Sequence, residues 1–169
     1  MKTALIFGSS GLIGNQLVDL IIKDNNYNKI KLFVRSETTI DSSKLEIIKT
    51  DFSNLNNHKD SISGDDCFFC IGTTKKNTPD KDKYIEVEYN LPIKVARIAK
   101  LNFVNNFIYI SSLGANPNST SLYLKNKGQV EQELIKLNFS KLSIFRPSIL
   151  LGNRKENRVG EKIGIFAMK

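Results

Sequence analysis

The sequence predicts an α/β domain built on a doubly wound parallel sheet with helices on both faces. Three observations predict it. Short runs such as Thr3-Ala4-Leu5-Ile6-Phe7 and Phe107-Ile108-Tyr109-Ile110 are apolar throughout, as strands buried on both faces must be. Longer stretches with apolar residues at helical spacing lie between several of these runs. The first run ends in a glycine and leads directly into a helical pattern, the alternation that a parallel sheet requires.

Taken in order, the first strand is Thr3 to Phe7, followed by helical spacing at Leu12, Ile13, Leu17, Leu20 and Ile21. Ile30 to Val34 forms the second strand. Leu45 to Ile48 forms the third, ending at Asp51, and Cys67 to Ile71 the fourth, ending at Gly72. A long helical pattern then carries Val87, Leu91, Val95, Ile98 and Ala99. Phe107 to Ile110 is the fifth strand and stops at Ser111-Ser112. Leu122 to Leu137 reads as a helix with Val130, Leu134 and Leu137 on one side, and Leu142 to Phe145 is the sixth strand, ended by Arg146-Pro147.

With 169 residues and neither repeats nor linkers, one domain over residues 1–169 is expected. Hydrophobic residues make up 40% and charged residues 25%, which suits a soluble globular chain and excludes bulk disorder. No apolar run approaches a membrane span. The amino-terminal apolar stretch is too short for a signal peptide and ends in glycines. Two cysteines cannot build a disulfide framework, so a reducing cytoplasm is expected. Lys and Arg total 25 against 17 Asp and Glu, a net charge of +8, but the positive residues are scattered. Lys29, Lys31, Lys75, Lys76, Lys81, Lys83, Arg154 and Lys155 are not interleaved with aromatics as on a stacking platform. A solvated lysine-rich surface, or an anionic ligand such as a phosphate-bearing cofactor, accounts for the charge better than nucleic acid.

In a doubly wound sheet ligands bind beyond the carboxyl ends of the strands. After the first strand comes Gly8-Ser9-Ser10-Gly11-Leu12-Ile13-Gly14. Gly8 permits the tight turn, Gly11 lets backbone N–H groups approach a pyrophosphate, and Gly14 lets the helix pack close to the sheet. The pyrophosphate would sit on the positive end of the helix beginning near Leu12, which makes the expected fold Rossmann-type and the expected ligand a dinucleotide. After the second strand, Arg35 stands where an acidic residue would favour NAD. It either holds the 2′-phosphate of NADP(H) or is a solvated surface arginine. Asp51-Phe52 after the third strand either lies where an adenine would sit or, through Asp51, caps the next helix.

Beyond the fifth strand, Tyr123 and Lys127 are four apart on a helix and share a face. A cation beside a phenol favours the tyrosinate and brings its titration toward working pH. Such a Tyr can give a proton to a carbonyl oxygen, or take one from an alcohol, while hydride moves to or from a nicotinamide. A serine at the strand end would hold the same oxygen, and the lysine could hold the nicotinamide ribose. Tyr27 and Lys31 repeat the Tyr-x-x-x-Lys spacing, but at the amino-terminal edge of the sheet, away from any cofactor. The alternative for the Tyr123 pair is an ordinary surface contact.

Together these features resemble the short-chain dehydrogenase/reductase superfamily, in particular its atypical branch of Tat-interacting-protein-like oxidoreductases and NmrA-like proteins. The resemblance rests on Gly8/Gly11/Gly14, Ser111-Ser112-Leu113-Gly114-Ala115-Asn116-Pro117, Tyr123-x-x-x-Lys127-Gly128-x-Val130-Glu131 and Arg146-Pro147-Ser148. It implies Tyr123 as acid/base, Ser112 (or Ser111) as the oxygen holder, and Lys127 as ribose ligand and modifier of the phenol. It also implies that Gly72, Thr73 and the backbone near Pro147 line the cofactor. Asn90 matches a position of structural or proton-relay asparagines, or is a plain polar helix residue. Members of the family usually continue well beyond a point like Lys169, so the substrate wall is expected to be under-specified in the apolar-rich stretch from Glu161 to Met168.

The function expected is therefore NADP(H)-dependent reduction of a small carbonyl compound, or oxidation of an alcohol. The alternative is a non-enzymatic NADP(H)-binding regulator acting through a protein partner, with a homodimer also compatible. Three further features are expected to carry no chemistry. Cys67 and Cys70 lie three apart on a strand, facing opposite sides, and read as inert thiols. His58 is the single histidine, in a polar loop, which leaves no His-based triad or His-rich metal site. Asp65-Asp66 precedes the fourth strand and reads as loop solvation.

Overall fold

The computed structural model describes residues 1–148 and 150. Strands β1 (Lys2–Phe7), β2 (Tyr27–Val34), β3 (Leu45–Lys49), β4 (Asp66–Phe69), β5 (Asn106–Ile110) and β6 (Lys141–Phe145) form one sheet in the order β3-β2-β1-β4-β5-β6. Every pairing is parallel. The chain winds outward from β1 to β3, then crosses to β4 on the other side of β1. The switch point between β1 and β4 opens a crevice at their carboxyl ends.

Side chains alternate along β1, so consecutive residues enter different cores. Ala4 and Ile6 pack with Ile30, Leu32 and Val34 beneath Val18 and Ile21 of α1 (Leu12–Lys23). Leu5 and Phe7 face the other way, with Phe33, Phe69, Phe107 and Tyr109. That second face is covered by Leu55 of a short 3₁₀ helix (Leu55–Ser61), by α3 (Leu91–Leu101) and by α4 (Leu122–Lys136). Both faces of the sheet are thus buried, which is why its central strands are apolar beyond their first residues. Phe7 stacks on Phe33 with ring centroids 4.2 Å apart.

The long helical pattern after β4 is interrupted. It begins as α2 (Lys81–Ile85), widens into a π turn over Glu86–Asn90, and continues as α3. Pro92 sits in the first turn of α3. Proline has no N–H and its ring collides with the carbonyl four residues earlier, here that of Glu88. The wider turn relieves that conflict and changes which side chains face inward. Two smaller expectations also change. His58 lies within the 3₁₀ helix rather than in a loop, and β4 stops at Phe69, before Cys70 and Ile71. The Glu161–Met168 stretch lies outside the described residues.

Asp65 and Asp66 are not loop solvation. Asp66 opens β4 with only 3% of its surface exposed. Its Oδ2 accepts hydrogen bonds from the Tyr27 hydroxyl at 2.6 Å and the Lys2 ammonium at 3.1 Å. Asp65 Oδ2 accepts from the Thr3 backbone at 2.7 Å. The two carboxylates clasp β1, β2 and β4 together at their amino-terminal ends, where parallel strands leave backbone groups unpaired. Tyr27, the residue that duplicates the Tyr-x-x-x-Lys spacing, is thereby committed to structure.

Burial opposes ionisation of Asp66, but hydrogen bonds from Tyr27, Lys2 and Asn106 outweigh it and hold the carboxyl below the ordinary aspartate range. A depressed folded-state value contributes stability that is complete above the unfolded value, about 3.9, and is lost as pH falls through the folded value. Asp66→Asn should therefore destabilise the fold by about 2 kcal/mol at pH 7 and flatten the acid limb of stability below about pH 4. Urea unfolding across pH measures both effects, and an unchanged acid limb would remove the clasp from the stability account.

Candidate functional site

The carboxyl-terminal edge of the sheet is organised by the turn from β1 into α1. Gly8 has φ +92°, and a Cβ there would lie 2.8 Å from the backbone of Cys70 and Ile71. A side chain at Gly14 would overlap the carbonyl of Gly8. Glycine is therefore required at one position for conformation and at the other for close approach. Gly11 N–H closes the turn onto Gly8 O at 3.1 Å, and the first bond of α1 runs from Asn15 N–H to Gly11 O at 2.8 Å. The N–H groups of Leu12, Ile13 and Gly14 precede that bond, in the first turn, where a helix has no internal acceptors for them. Gly11 supplies no side-chain cap, and the first turn holds no acidic residue. An uncapped positive helix end behind a glycine turn fits an anion such as a pyrophosphate. Ser10 is exposed beside it.

The neighbouring strand ends frame this turn. Arg35 is exposed just beyond β2. Asp51 is exposed beyond β3 and caps no helix. Its Oδ1 accepts from the backbone N–H and the hydroxyl of Ser53, at 2.9 and 2.8 Å, and these bonds hold its carboxyl below the ordinary range. The 3₁₀ helix instead starts after Asn54, with no side-chain cap. Phe52 takes φ 68° and lies 6.3 Å from the Phe7 ring. A cleft of about 370 Å³ runs from Ile13 at the start of α1 to Ile110, Phe145, Arg146, Pro147 and Leu150 at the ends of β5 and β6.

Beyond β5, the two serines separate. Ser111 is buried and its hydroxyl donates to Glu131. Glu131 also binds Arg146, whose Nε lies 2.9 Å from Oε1 and whose Nη2 meets Oε2. This bidentate pair, both members of which carry the family resemblance, fastens α4 to the end of β6. Ser112 is half-buried, with its hydroxyl 3.3 Å from the Leu113 carbonyl. Gly128 meets the backbone of Asn116 and Pro117 so closely that no side chain fits. The loop after β5 is thereby pressed onto α4.

Tyr123 is half-buried on the first turn of α4, and Lys127 lies one turn further, buried. The Lys127 ammonium is 5.9 Å from the Tyr123 ring centroid and 4.9 Å from that of Tyr109. It donates to Ile110 O at 3.1 Å and pairs with Glu88 Oε2 at 3.2 Å. The Glu88 and Lys127 side chains are 1% and 5% exposed. Burial alone would lower the lysine's pKa, but the oxygens of Tyr109, Glu88 and Tyr123 reverse this and hold it above the ordinary lysine value. Lys127 is thus a fixed cation. Burial pushes the Tyr109 hydroxyl up to about 12, so it stays a neutral phenol.

Glu88 is the site residue that the sequence reading missed. Its Oε1 accepts from the backbone N–H of Thr73, after β4, so one carboxylate ties the Gly72-Thr73 loop to Lys127. A signal for it existed. Glu88 falls on the stripe of Tyr84, Leu91 and Val95, where a helix buries apolar residues, and a carboxylate there demands a partner. Asn90, expected near the site, is exposed and donates to Glu86 Oε2 at 2.7 Å. The π turn directs Glu88 inward and Asn90 outward. Cys67 and Cys70 are free. Burial raises both thiols, that of Cys70 to about 12, which leaves them unreactive.

A family model described as NAD(P)H-binding matches residues 8–163. The chain is 34% identical over 164 residues to Protein HTATIP2 of Rattus norvegicus, covering 95% of this chain and 67% of that protein. It is 30% identical over 159 residues to Protein FMP52-1, mitochondrial, of Scheffersomyces stipitis, covering 92% of this chain and 70% of that one. The fold superposes on WbmH of Bordetella bronchiseptica, solved in complex with NAD+, with a TM-score of 0.76 at 20% identity, over 99% of this chain and 62% of WbmH. FMP52 proteins of several yeasts are named mitochondrial, which overturns the cytoplasmic location expected from cysteine content and the amino terminus.

Removing one member of a buried ion pair strands the other charge in a dry site. Glu88→Gln should therefore cost about 3 kcal/mol of stability. Denaturant unfolding of the variant measures it, and a loss below about 1 kcal/mol would mean that the pair behaves as a solvated one.

Proposed function

The chain belongs to the NAD(P)H-binding family, in the atypical branch of the short-chain dehydrogenase/reductase superfamily, and from that premise we propose that it is an oxidoreductase using NADP(H) to interconvert a small carbonyl compound and its alcohol. The observation that carries this reading is the sharing of one sheet edge by the uncapped Gly8–Gly14 turn and the Tyr123–Lys127 pair, with the Lys127 ammonium 5.9 Å from the Tyr123 ring.

In this reading the backbone of Gly8, Ser10, Gly11, Leu12, Ile13 and Gly14 holds the pyrophosphate, and Arg35 holds the 2′-phosphate. Asp51 and Phe52 flank the adenine. Gly72, Thr73, Ser111 and Pro147 line the path to the nicotinamide, next to the cleft bordered by Ile13 and Pro147. When bound, the nicotinamide supplies the hydride donor or acceptor. Tyr123 then gives its phenolic proton to the carbonyl oxygen, or takes one from the alcohol. Ser112 donates a hydrogen bond to that oxygen. It suits the role better than Ser111, whose hydroxyl is held by Glu131. Lys127, protonated and fixed by Glu88 and Ile110, holds its ammonium behind the Tyr123 ring. Glu88 acts through Lys127 as a positioning residue.

Tyr123→Phe should lower turnover of a reactive aldehyde, ketone or quinone at least ~100-fold while leaving NADPH affinity within about twofold, since the phenol is not a phosphate contact. Turnover that survives the change would refute the acid/base role. Titration of NADPH and NADH against the unaltered chain should favour NADPH, and Arg35→Ala should cost NADPH about tenfold while sparing NADH. Equal affinities for the two nucleotides would remove the phosphate-recognition argument.

A further inference from the structure

Lys75, in the loop after β4, and Lys81, which opens α2, find no use in the proposed reaction. They line a second cleft, of about 280 Å³, bounded by Lys75, Thr78, Pro79, Lys81, Tyr84 and Leu122. Its lining joins the apolar side chains of Pro79 and Leu122 to two lysines, and no acidic residue is among the lining residues. Among the described residues neither Lys75 nor Lys81 has a carboxylate partner. Two acids flank Lys81 in sequence: Asp80 uses its Oδ1 to accept the Lys83 backbone N–H at 2.8 Å, and Asp82 lies in the first turn of α2.

This cleft is joined to the chemistry by short links. Leu122, one wall, immediately precedes Tyr123. The loop itself is tied down, because the backbone N–H groups of Asn77 and Thr78 donate to Thr74 O at 3.0 and 2.9 Å. The Thr78 hydroxyl lies 2.8 Å from that of Thr73, whose backbone N–H donates to Glu88, the partner of Lys127. A group seated between the lysines therefore leans on the same structure that fixes the catalytic cation.

We propose that this cleft receives an anionic group of the substrate, a carboxylate or a phosphate, so that the compound presented to Tyr123 is a small acidic carbonyl or alcohol. Pro79 and Leu122 take the carbon body and the two lysines take the charge. At this volume only a small molecule, or the head of a larger one, fits. The inference rests on the oxidoreductase reading for the identity of the reacting group, but binding in the cleft can be measured without turnover.

Three aldehydes on one ring provide the test: 4-carboxybenzaldehyde, 4-formylphenyl phosphate and the neutral methyl 4-formylbenzoate. Each is titrated against the full chain by calorimetry, with and without NADPH. At least one anionic aldehyde should bind tenfold or more tightly than the ester, and the tighter of the two distinguishes carboxylate from phosphate. Lys75→Ala/Lys81→Ala should abolish this preference while leaving the unfolding midpoint and NADPH affinity unchanged, since both side chains are exposed. A control pair at the opposite edge, Lys23→Ala/Lys141→Ala, should retain it. Equal binding of all three aldehydes, no binding of any, or equal losses in the two lysine pairs would overturn the proposal. Anion preference in a chain that fails to bind NADPH would instead leave the cleft standing and sink the oxidoreductase reading.

Discussion

The constraint on which the rest of the structure depends is the contact between Gly14 and the carbonyl of Gly8. The first turn of α1 lies so close to the end of β1 that no side chain can stand between them. Close approach sets the direction of α1, and that direction leaves the N–H groups of Leu12, Ile13 and Gly14 facing the crevice at the β1–β4 switch point. The uncapped positive end follows from packing, before any ligand is considered. A side chain at either glycine would move the helix, and with it the Ile13 wall of the larger cleft.

The second organising feature, in a chain of net charge +8, is the burial of two carboxylates, Glu88 and Glu131, on the helical segments beneath the carboxyl-terminal edge. Glu88 and Glu131 are each almost wholly buried, and each binds a cation, Lys127 and Arg146. Burying a charge is unfavourable unless it is paired and hydrogen-bonded, and both are. Each also receives a hydrogen bond from a strand end, Thr73 after β4 and Ser111 after β5. The two pairs connect α4 and the π turn to three strand ends. They give the carboxyl-terminal edge a rigid polar underside on which Tyr123 stands.

The two ends of the sheet are closed in different ways. At the amino-terminal end, Asp65 and Asp66 accept directly from Thr3, Tyr27 and Lys2. At the carboxyl-terminal end, a helix start is left uncapped, two clefts open, and Arg35, Lys75 and Lys81 are exposed. An uncapped helix start with exposed Arg35, Lys75 and Lys81 at the same edge favours anionic ligands there.

The amino-acid sequence by itself determined the strand-and-helix order, the parallel sheet, the glycine turn and the placing of Tyr123 and Lys127 beyond β5. Each is written in local terms: apolar runs too short for helices, glycines at a strand end, and two residues four apart on a helix. The tertiary structure alone decided which neighbours share the buried charges. Glu88 lies 39 positions before Lys127 in the chain, and it faces the lysine because Pro92 widens the helix into a π turn that also sends Asn90 to the surface. Likewise Asp66, which reads as loop solvation in isolation, is buried because β2 and β1 bring Tyr27 and Lys2 to it. Pairings of this kind depend on distances between segments remote in sequence. Helical and strand periodicity sets which way a side chain points from its own element, but not which charge it will meet.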